Sequence, residues 1–170
     1  DFMSTLETDG DWELKHPRTR KTIKKVKAKL LWDAITYNAW LQGDPGLVFL
    51  DTINVANPTP KVGNMDCTNP CGEVPLLPYE ACNLGSMDLS KFIHPKQKEI
   101  YWEELGRVIH MAVRFLDDVI EMNDYLIPKI KNTVSSNRKI GLGIMGWANL
   151  LILLEIPYAS DEAISLAEKL

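Results

Sequence analysis

The chain has 170 residues, 45% hydrophobic and 25% charged, with 19 Lys and Arg against 23 Asp and Glu for a net charge of −4. This is globular composition for about one domain, which excludes a disordered or collagen-like chain, and the acidic balance argues against a general nucleic-acid binder. No run approaches the roughly 18–20 uncharged apolar residues of a membrane span. Asp1, Glu7, Asp9 and Asp11 stand where a basic and then apolar leader would be, so a cytoplasmic location is expected. The start at Asp1 rather than Met leads us to expect a piece of a longer chain.

Residues 1–13 carry five acids and no Lys or Arg, and residues 15–29 carry eight Lys or Arg and no acid. The basic run reads as a solvated face near a helix start, with a phosphate- or partner-facing patch as the alternative. Val26, Leu30, Ala34, Tyr37 and Leu41 recur at helical steps and predict a helix over 24–42 with one apolar face. Gly43-Asp44-Pro45-Gly46 stops it. Leu47-Val48-Phe49-Leu50 reads as a short buried strand, and Asn57-Pro58-Thr59-Pro60 with Gly63-Asn64 as irregular chain.

Residues 65–78 hold three prolines and one glycine, which rule out a helix or a central strand. The segment is apolar for a loop, so it is expected to be shaped and buried, against the usual rule. A strand is expected over 84–92. Trp102, Leu105, Ile109, Ala112, Val113, Leu116 and Ile120 predict a helix over 101–123, with His110 beside the stripe as a packed or surface histidine. Pro128 begins a helical turn or loop. A glycine-punctuated segment spans Asn137 to Gly146, an apolar helix runs to about Glu155, Pro157 ends it, and Ser160 caps a last helix.

Cys67, Cys71 and Cys82 lie within sixteen residues and are the only cysteines. An odd count without a leader argues against a secreted disulfide framework and for a reducing compartment, with thiols that are buried, metal-bound or catalytic. Zinc takes about four ligands, and C-x3-C-x10-C lacks the fourth, His94 being the nearest histidine.

Asn69-Pro70-Cys71-Gly72-Glu73 has a chemical reading. Pro70 pushes Asn69 into an extended conformation. Side chains alternate along extended chain, so Asn69, Cys71 and Glu73 are expected on one side, about 6–7 Å apart, and closer where Gly72 bends the loop. Such a trio suits a small ring such as a sugar. The amide orients hydroxyls, the thiol exchanges a hydrogen atom, and the carboxylate takes a proton. A structural turn around a buried cysteine is the plain alternative. A reversal at Pro75-Leu-Leu-Pro78 would bring Cys82 to the same pocket, where one thiol acts on substrate and the other supplies reducing equivalents.

Gly141-Leu-Gly143-Ile-Met-Gly146 fits G-x-G-x-x-G, with Asp161 twenty residues past Gly141. The residues before it, 135–139, are polar and leave no buried strand to feed the turn, so a dinucleotide site is rejected.

Thr68 to Phe92, TNPCGEVPLLPYEACNLGSMDLSKF, closely resembles the active-site segment of ribonucleotide reductase large chains. The wording NPCGE…PLLPYE.CNLGS is most similar to the adenosylcobalamin-dependent, class II branch. Gly43–Asn54 (GDPGLVFLDTIN) and Asn137–Leu151 (NRKIGLGIMGWANLL) resemble further family blocks, with the helix around Ala112–Asp118 between them. The resemblance implies an α/β fold, part of a ten-stranded α/β barrel with a central finger loop carrying the radical cysteine. Residues 1–170 would be one partial catalytic barrel domain.

The implied activity is thiyl-radical reduction of ribonucleotides to 2′-deoxyribonucleotides for DNA synthesis, as in a ribonucleoside-diphosphate reductase of the thioredoxin-disulfide type. Cys71 would be the thiyl radical that removes the ribose 3′ hydrogen, and Glu73 the base for the 3′-hydroxyl proton. Asn69 would hydrogen-bond the ribose hydroxyls, and Cys82 would be one of two reducing thiols that end as a disulfide. The implied cofactor is adenosylcobalamin. Implied partners are a ribonucleoside di- or triphosphate, a thioredoxin-like dithiol reductant, the remaining segments of the same enzyme and a second copy of the chain, with no nucleic acid polymer and no membrane. The family's other reducing cysteine lies far upstream and is absent here, and Cys67 is an extra thiol. The isolated chain is expected not to turn over. The alternatives are a non-catalytic piece that must pair with other segments, and a thiol metal or redox module on Cys67, Cys71 and Cys82.

Overall fold

The acidic and basic runs at the start of the chain pair with each other. In the computed structural model, which describes residues 1–94 and 96–170, a short helix α1 (Phe2–Glu7) precedes an antiparallel hairpin of β1 (Asp11–Lys15) and β2 (Thr22–Lys27). The register opposes Asp11 to Lys27 and Glu13 to Lys25, and ion pairs form at 3.2 and 3.0 Å. Exposed pairs of this kind contribute about 0–1 kcal/mol each, so they select register more than they stabilise. Phe2 stacks edge-on against Trp12 at 5.2 Å.

The helix predicted over 24–42 starts later. Residues 24–27 belong to β2, and the helix is α2 (Ala28–Gln42), closed by Gly43 at φ +79°. The face also differs. Leu31, Trp32, Ile35 and Ala39 are half-buried, whereas Leu30, Tyr37 and Leu41 are 67%, 58% and 58% exposed. Apolar residues ring this helix, so spacing alone does not choose between the two faces. These elements make up one of two compact units, Asp1–Phe49.

The second unit, Leu50–Leu170, carries every candidate site residue. The expected strand at 47–50 is absent. Leu47–Phe49 are irregular and exposed, and Leu50 opens a helix, α3 (Leu50–Val55), with Asp51 in its first turn. A short apolar run fits either element, and among the described residues no strand pairs with it. A small hairpin follows, in which β3 (Cys67–Thr68) pairs antiparallel with β4 (Pro75–Leu76). The next strand, β5 (Asn83–Asp88), ends before the predicted Phe92 because Asp88 caps a 3-10 turn, Leu89–Lys91, accepting the Ser90 N–H at 3.0 Å.

After a short pair, β6 (Ile93–His94) with β7 (Glu99–Ile100), the long helix α4 (Trp102–Met122) lies within the predicted range. It buries Leu105, Leu116 and Ile120 from the predicted stripe, while Trp102, Val113 and His110 are exposed. Then come α5 (Pro128–Asn137), β8 (Ile140–Met145), α6 (Trp147–Leu154) and α7 (Asp161–Lys169), the last capped by Ser160 Oγ, which accepts the Ala163 N–H at 3.2 Å.

β8 returns to β5 as a parallel neighbour, Asn83 opposite Ile140 and Asp88 opposite Met145. Parallel strands need a long crossover, and α4 supplies it. The mixed α/β content is thus as expected, with no closed barrel among the described residues. Leu89, Ile93, Leu105 and Leu150 form the core, and Phe92, Trp147 and Leu166 pack on it. Each such buried leucine stabilises the fold by about 1.5–3 kcal/mol. Arg138, at φ +51°, ties α5 to α4: its Nε donates to Asp117 at 2.8 Å, and its Nη1 reaches Glu121. No helix among the described residues is long and apolar enough to cross a membrane.

Candidate active site

The tip of the β3–β4 hairpin is a turn rather than extended chain. The Gly72 N–H donates to the Asn69 carbonyl at 3.0 Å, and Gly72 adopts φ +87°, a conformation that favours glycine. The alternation expected from Pro70 therefore does not operate through the tip. Asn69 is half-buried and holds the turn itself. Its backbone N–H donates to Val74 O at 3.3 Å, and its Oδ1 accepts the Val74 N–H at 3.0 Å. Its Nδ2 donates to no protein acceptor among the described residues. Cys71 and Glu73 are exposed at the tip, not buried. Cys67 is exposed at the hairpin base, opposite Leu76.

Side chains that spacing did not single out hold the base of this hairpin. Asn54 of α3 clamps Met65, donating from Nδ2 to its carbonyl at 2.9 Å and accepting its N–H at 2.7 Å. On the other strand, Glu80 Oε2 accepts the Leu77 N–H at 2.8 Å and the Lys139 ammonium at 2.6 Å, and Oε1 accepts Asn137 Nδ2 at 2.9 Å. Lys139 also donates to the Pro75 carbonyl at 3.2 Å. The Glu80 side chain is 1% exposed. Burial alone would raise its carboxyl pKa. The hydrogen bonds from Lys139, Leu77 and Asn137, with the charge of Lys139, outweigh burial and hold it below the ordinary value. The one available signal was an acid inside the otherwise apolar PLLPYEA, but its partner Lys139 is 59 residues away.

Glu73 and Cys82 both line an open groove of about 430 Å³, with Leu84, Lys139, Gly141 and Gly143. Asn69 and Cys71 stand outside that lining. Cys82 is half-buried, its Sγ 3.5 Å from the Asn83 carbonyl. Burial pushes its thiol pKa up, Lys139 pulls it down, and Glu80 pushes it up again, for a net rise. A thiol held protonated is a hydrogen and electron donor rather than a ready nucleophile. The three cysteines are free, and no group of His, Cys, Asp and Glu among the described residues converges to hold a metal ion.

The glycines of the G-x-G-x-x-G stretch act in packing. Gly141 and Gly143 lie within β8 itself, so the strand is made of the motif instead of feeding it. A Cβ at Gly141 would stand 2.5 Å from Leu84 Cδ2 and 4.0 Å from Cys82 Sγ. Gly146, at φ +69°, starts α6, and a Cβ there would collide with Asp88 Oδ1.

A parallel strand–helix–strand unit, a proline-stiffened hairpin with a thiol and an acid at its tip, and a second thiol on the adjoining strand define a class. All 170 residues match the family model described as ribonucleotide reductase, barrel domain, and the chain belongs to that family. Among its relatives, a protein of Thermoplasma acidophilum named vitamin B12-dependent ribonucleoside-diphosphate reductase is 51% identical over 99% of this chain and 22% of its own length. One of the same name from Mycobacterium tuberculosis is 50% identical over 99% of this chain and 24% of its own length. A ribonucleoside-diphosphate reductase subunit alpha of Chlamydia pneumoniae is 35% identical over 88% of this chain and 14% of its own length. The chain thus spans about a quarter or less of these relatives.

Proposed function

We propose that this chain is the part of a vitamin B12-dependent ribonucleotide reductase that carries the radical thiol and one reducing thiol. The observation that carries the reading is the hairpin: Cys71 at an exposed tip, with Glu73 among the residues that line the groove Cys82 shares. The finer architecture, a ten-stranded barrel with residues 67–76 as its central finger, belongs to this proposal. The parallel β5–β8 pair supports it. The reaction excludes water, so the enclosure around the exposed tip comes from barrel segments outside these residues.

The roles are those the family resemblance implies. Asn69 Oδ1 is committed to the Val74 N–H, so the amide meets ribose hydroxyls as a donor through Nδ2. Cys71 as a thiyl takes the 3′ hydrogen atom, and the Glu73 carboxylate takes the 3′-hydroxyl proton. The 2′ oxygen leaves as water. Cys82, protonated, and a second cysteine outside this chain supply two hydrogen atoms, in net one to the departing water and one to carbon 2′. They end as a disulfide, which a thioredoxin-like dithiol reduces. Glu73 returns its proton to the 3′ oxygen and Cys71 returns its hydrogen atom to carbon 3′, which regenerates the thiyl. Adenosylcobalamin, when bound, supplies the radical that ordinary side chains cannot make. No residue of 1–170 is assigned to hold the cofactor.

The span of the chain favours one companion reading, that residues 1–170 do not turn over without complementary segments. The test is deoxynucleotide formation from a ribonucleoside diphosphate by the full-length protein, with thioredoxin, with and without adenosylcobalamin. Product only with the cofactor supports the assignment; equal product without it refutes it.

A further inference from the structure

Glu80, its side chain buried, and the partly exposed Lys139 make an ion pair that none of the reaction steps uses. We propose that this pair is a positioning device for Cys82: it fastens the outgoing strand of the hairpin to the start of β8 and sets the charge beside the thiol. This rests on Cys82 being a reducing thiol.

The fastening is direct. Lys139 reaches both the Pro75 carbonyl and Glu80, and Glu80 reaches the Leu77 N–H, so both ends of the bridge grip the strand that leaves the tip. Asn137 closes the remaining carboxylate oxygen. Glu80 stands two residues before Cys82, and Lys139 lines the groove that Glu73 and Cys82 share. One bridge therefore holds the base of the hairpin and the reductant in a common frame. A hydrophobic pair would fasten these segments about as well, since a buried ion pair is weak evidence for stability. What the ion pair adds is a cation and an anion beside a sulfur.

The two charges act on the thiol in opposite senses, Lys139 favouring the thiolate and Glu80 disfavouring it. Glu73 lines the same groove, and Arg138, next to Lys139 in the chain, engages the α4 acids Asp117 and Glu121. With the pair intact the thiol stays protonated while the substrate is reduced. Once Cys82 is in the disulfide, a thiolate of the external dithiol attacks that bond, and the Lys139 cation favours Cys82 as the leaving thiolate.

The test is peptide-resolved alkylation of Cys82 by iodoacetamide, from pH 6 to 9, in the full-length protein. Lys139→Met should slow alkylation near neutral pH and Glu80→Gln should speed it, each by roughly three- to tenfold, because a tenfold change in thiolate is one pKa unit. Lys139→Arg keeps the charge and should stay near the wild-type profile. A purely structural role loosens the groove in either variant and speeds alkylation in both, so shifts of the same sign overturn the proposal. The readout needs no turnover. Steady multiple turnover by Cys82→Ser would instead remove the reductant role and leave the charge coupling standing.

Discussion

Asn54→Ala should release the incoming strand of the β3–β4 hairpin. The Asn54 amide makes three hydrogen bonds: Nδ2 to the Leu50 carbonyl at 2.7 Å, Nδ2 to the Met65 carbonyl at 2.9 Å, and Oδ1 from the Met65 N–H at 2.7 Å. Each contributes about 0.5–1.5 kcal/mol net. The Leu50 carbonyl regains little by relaxing within its own helix. Met65 is 5% exposed, so its backbone groups find no ready water. Leaving them unpaired puts the expected loss at about 2–4 kcal/mol. The loss is local, and hydrogen exchange of the full-length protein reads it at Met65 and across the hairpin. A loss of about 2.7 kcal/mol is a hundredfold faster opening equilibrium. Asn54→Asp should be at least as damaging, because it keeps the acceptor for the Met65 N–H but sets a carboxylate against two carbonyls. Unchanged protection at Met65 in Asn54→Ala would refute the clamp.

Gly146→Ala should destabilise the unit by about 1–2 kcal/mol from its left-handed backbone alone, and more because its Cβ displaces Asp88 from Ser90; adding Asp88→Ala should recover part of the loss in thermal unfolding. The Glu80 carboxyl lies below its ordinary value, so its stabilisation is present above the unfolded pKa and is lost as pH falls through the folded one. Glu80→Gln should remove that acid-side loss, and an unchanged acid-unfolding profile would contradict it. Cys82→Ser should permit at most an incomplete cycle, measured as product per enzyme in a single turnover.

Some of this architecture is legible in the sequence. The α4 stripe is, because Leu105, Leu116 and Ile120 recur at helical spacing opposite Glu103, Arg107, Arg114 and Asp118, which are exposed. The Ser160 cap is, because a hydroxyl, two acids and a closing lysine mark one helix from both ends. Where several outcomes share one local pattern, the reading fails. The basic residues 22–27 suit a helix until their acidic strand partners at 11–15 are known. Leu47–Leu50 suits a strand until no neighbour is found. The tip shows the same limit at finer scale: Pro70 does favour extended chain before it, yet Gly72 and the Asn69 side chain close a turn that cancels the alternation. The residue types at 69, 71, 73 and 82 suggest a chemistry that the resemblance specifies, whereas the family itself is legible in the long motifs around them. The Glu80–Lys139 and Asn54–Met65 contacts were invisible because each joins residues that one sequence does not relate.

The most direct measurement of the central claim uses Cys71→Ser in the full-length protein. Deoxynucleotide formation and equilibrium binding of the ribonucleoside diphosphate are measured on the same preparation. The hairpin geometry does not depend on the Cys71 thiol, since the turn is closed by Asn69, Gly72 and Val74. The account therefore predicts no product and near-normal binding. Product at the wild-type rate would contradict it and remove the tip sulfur from the chemistry.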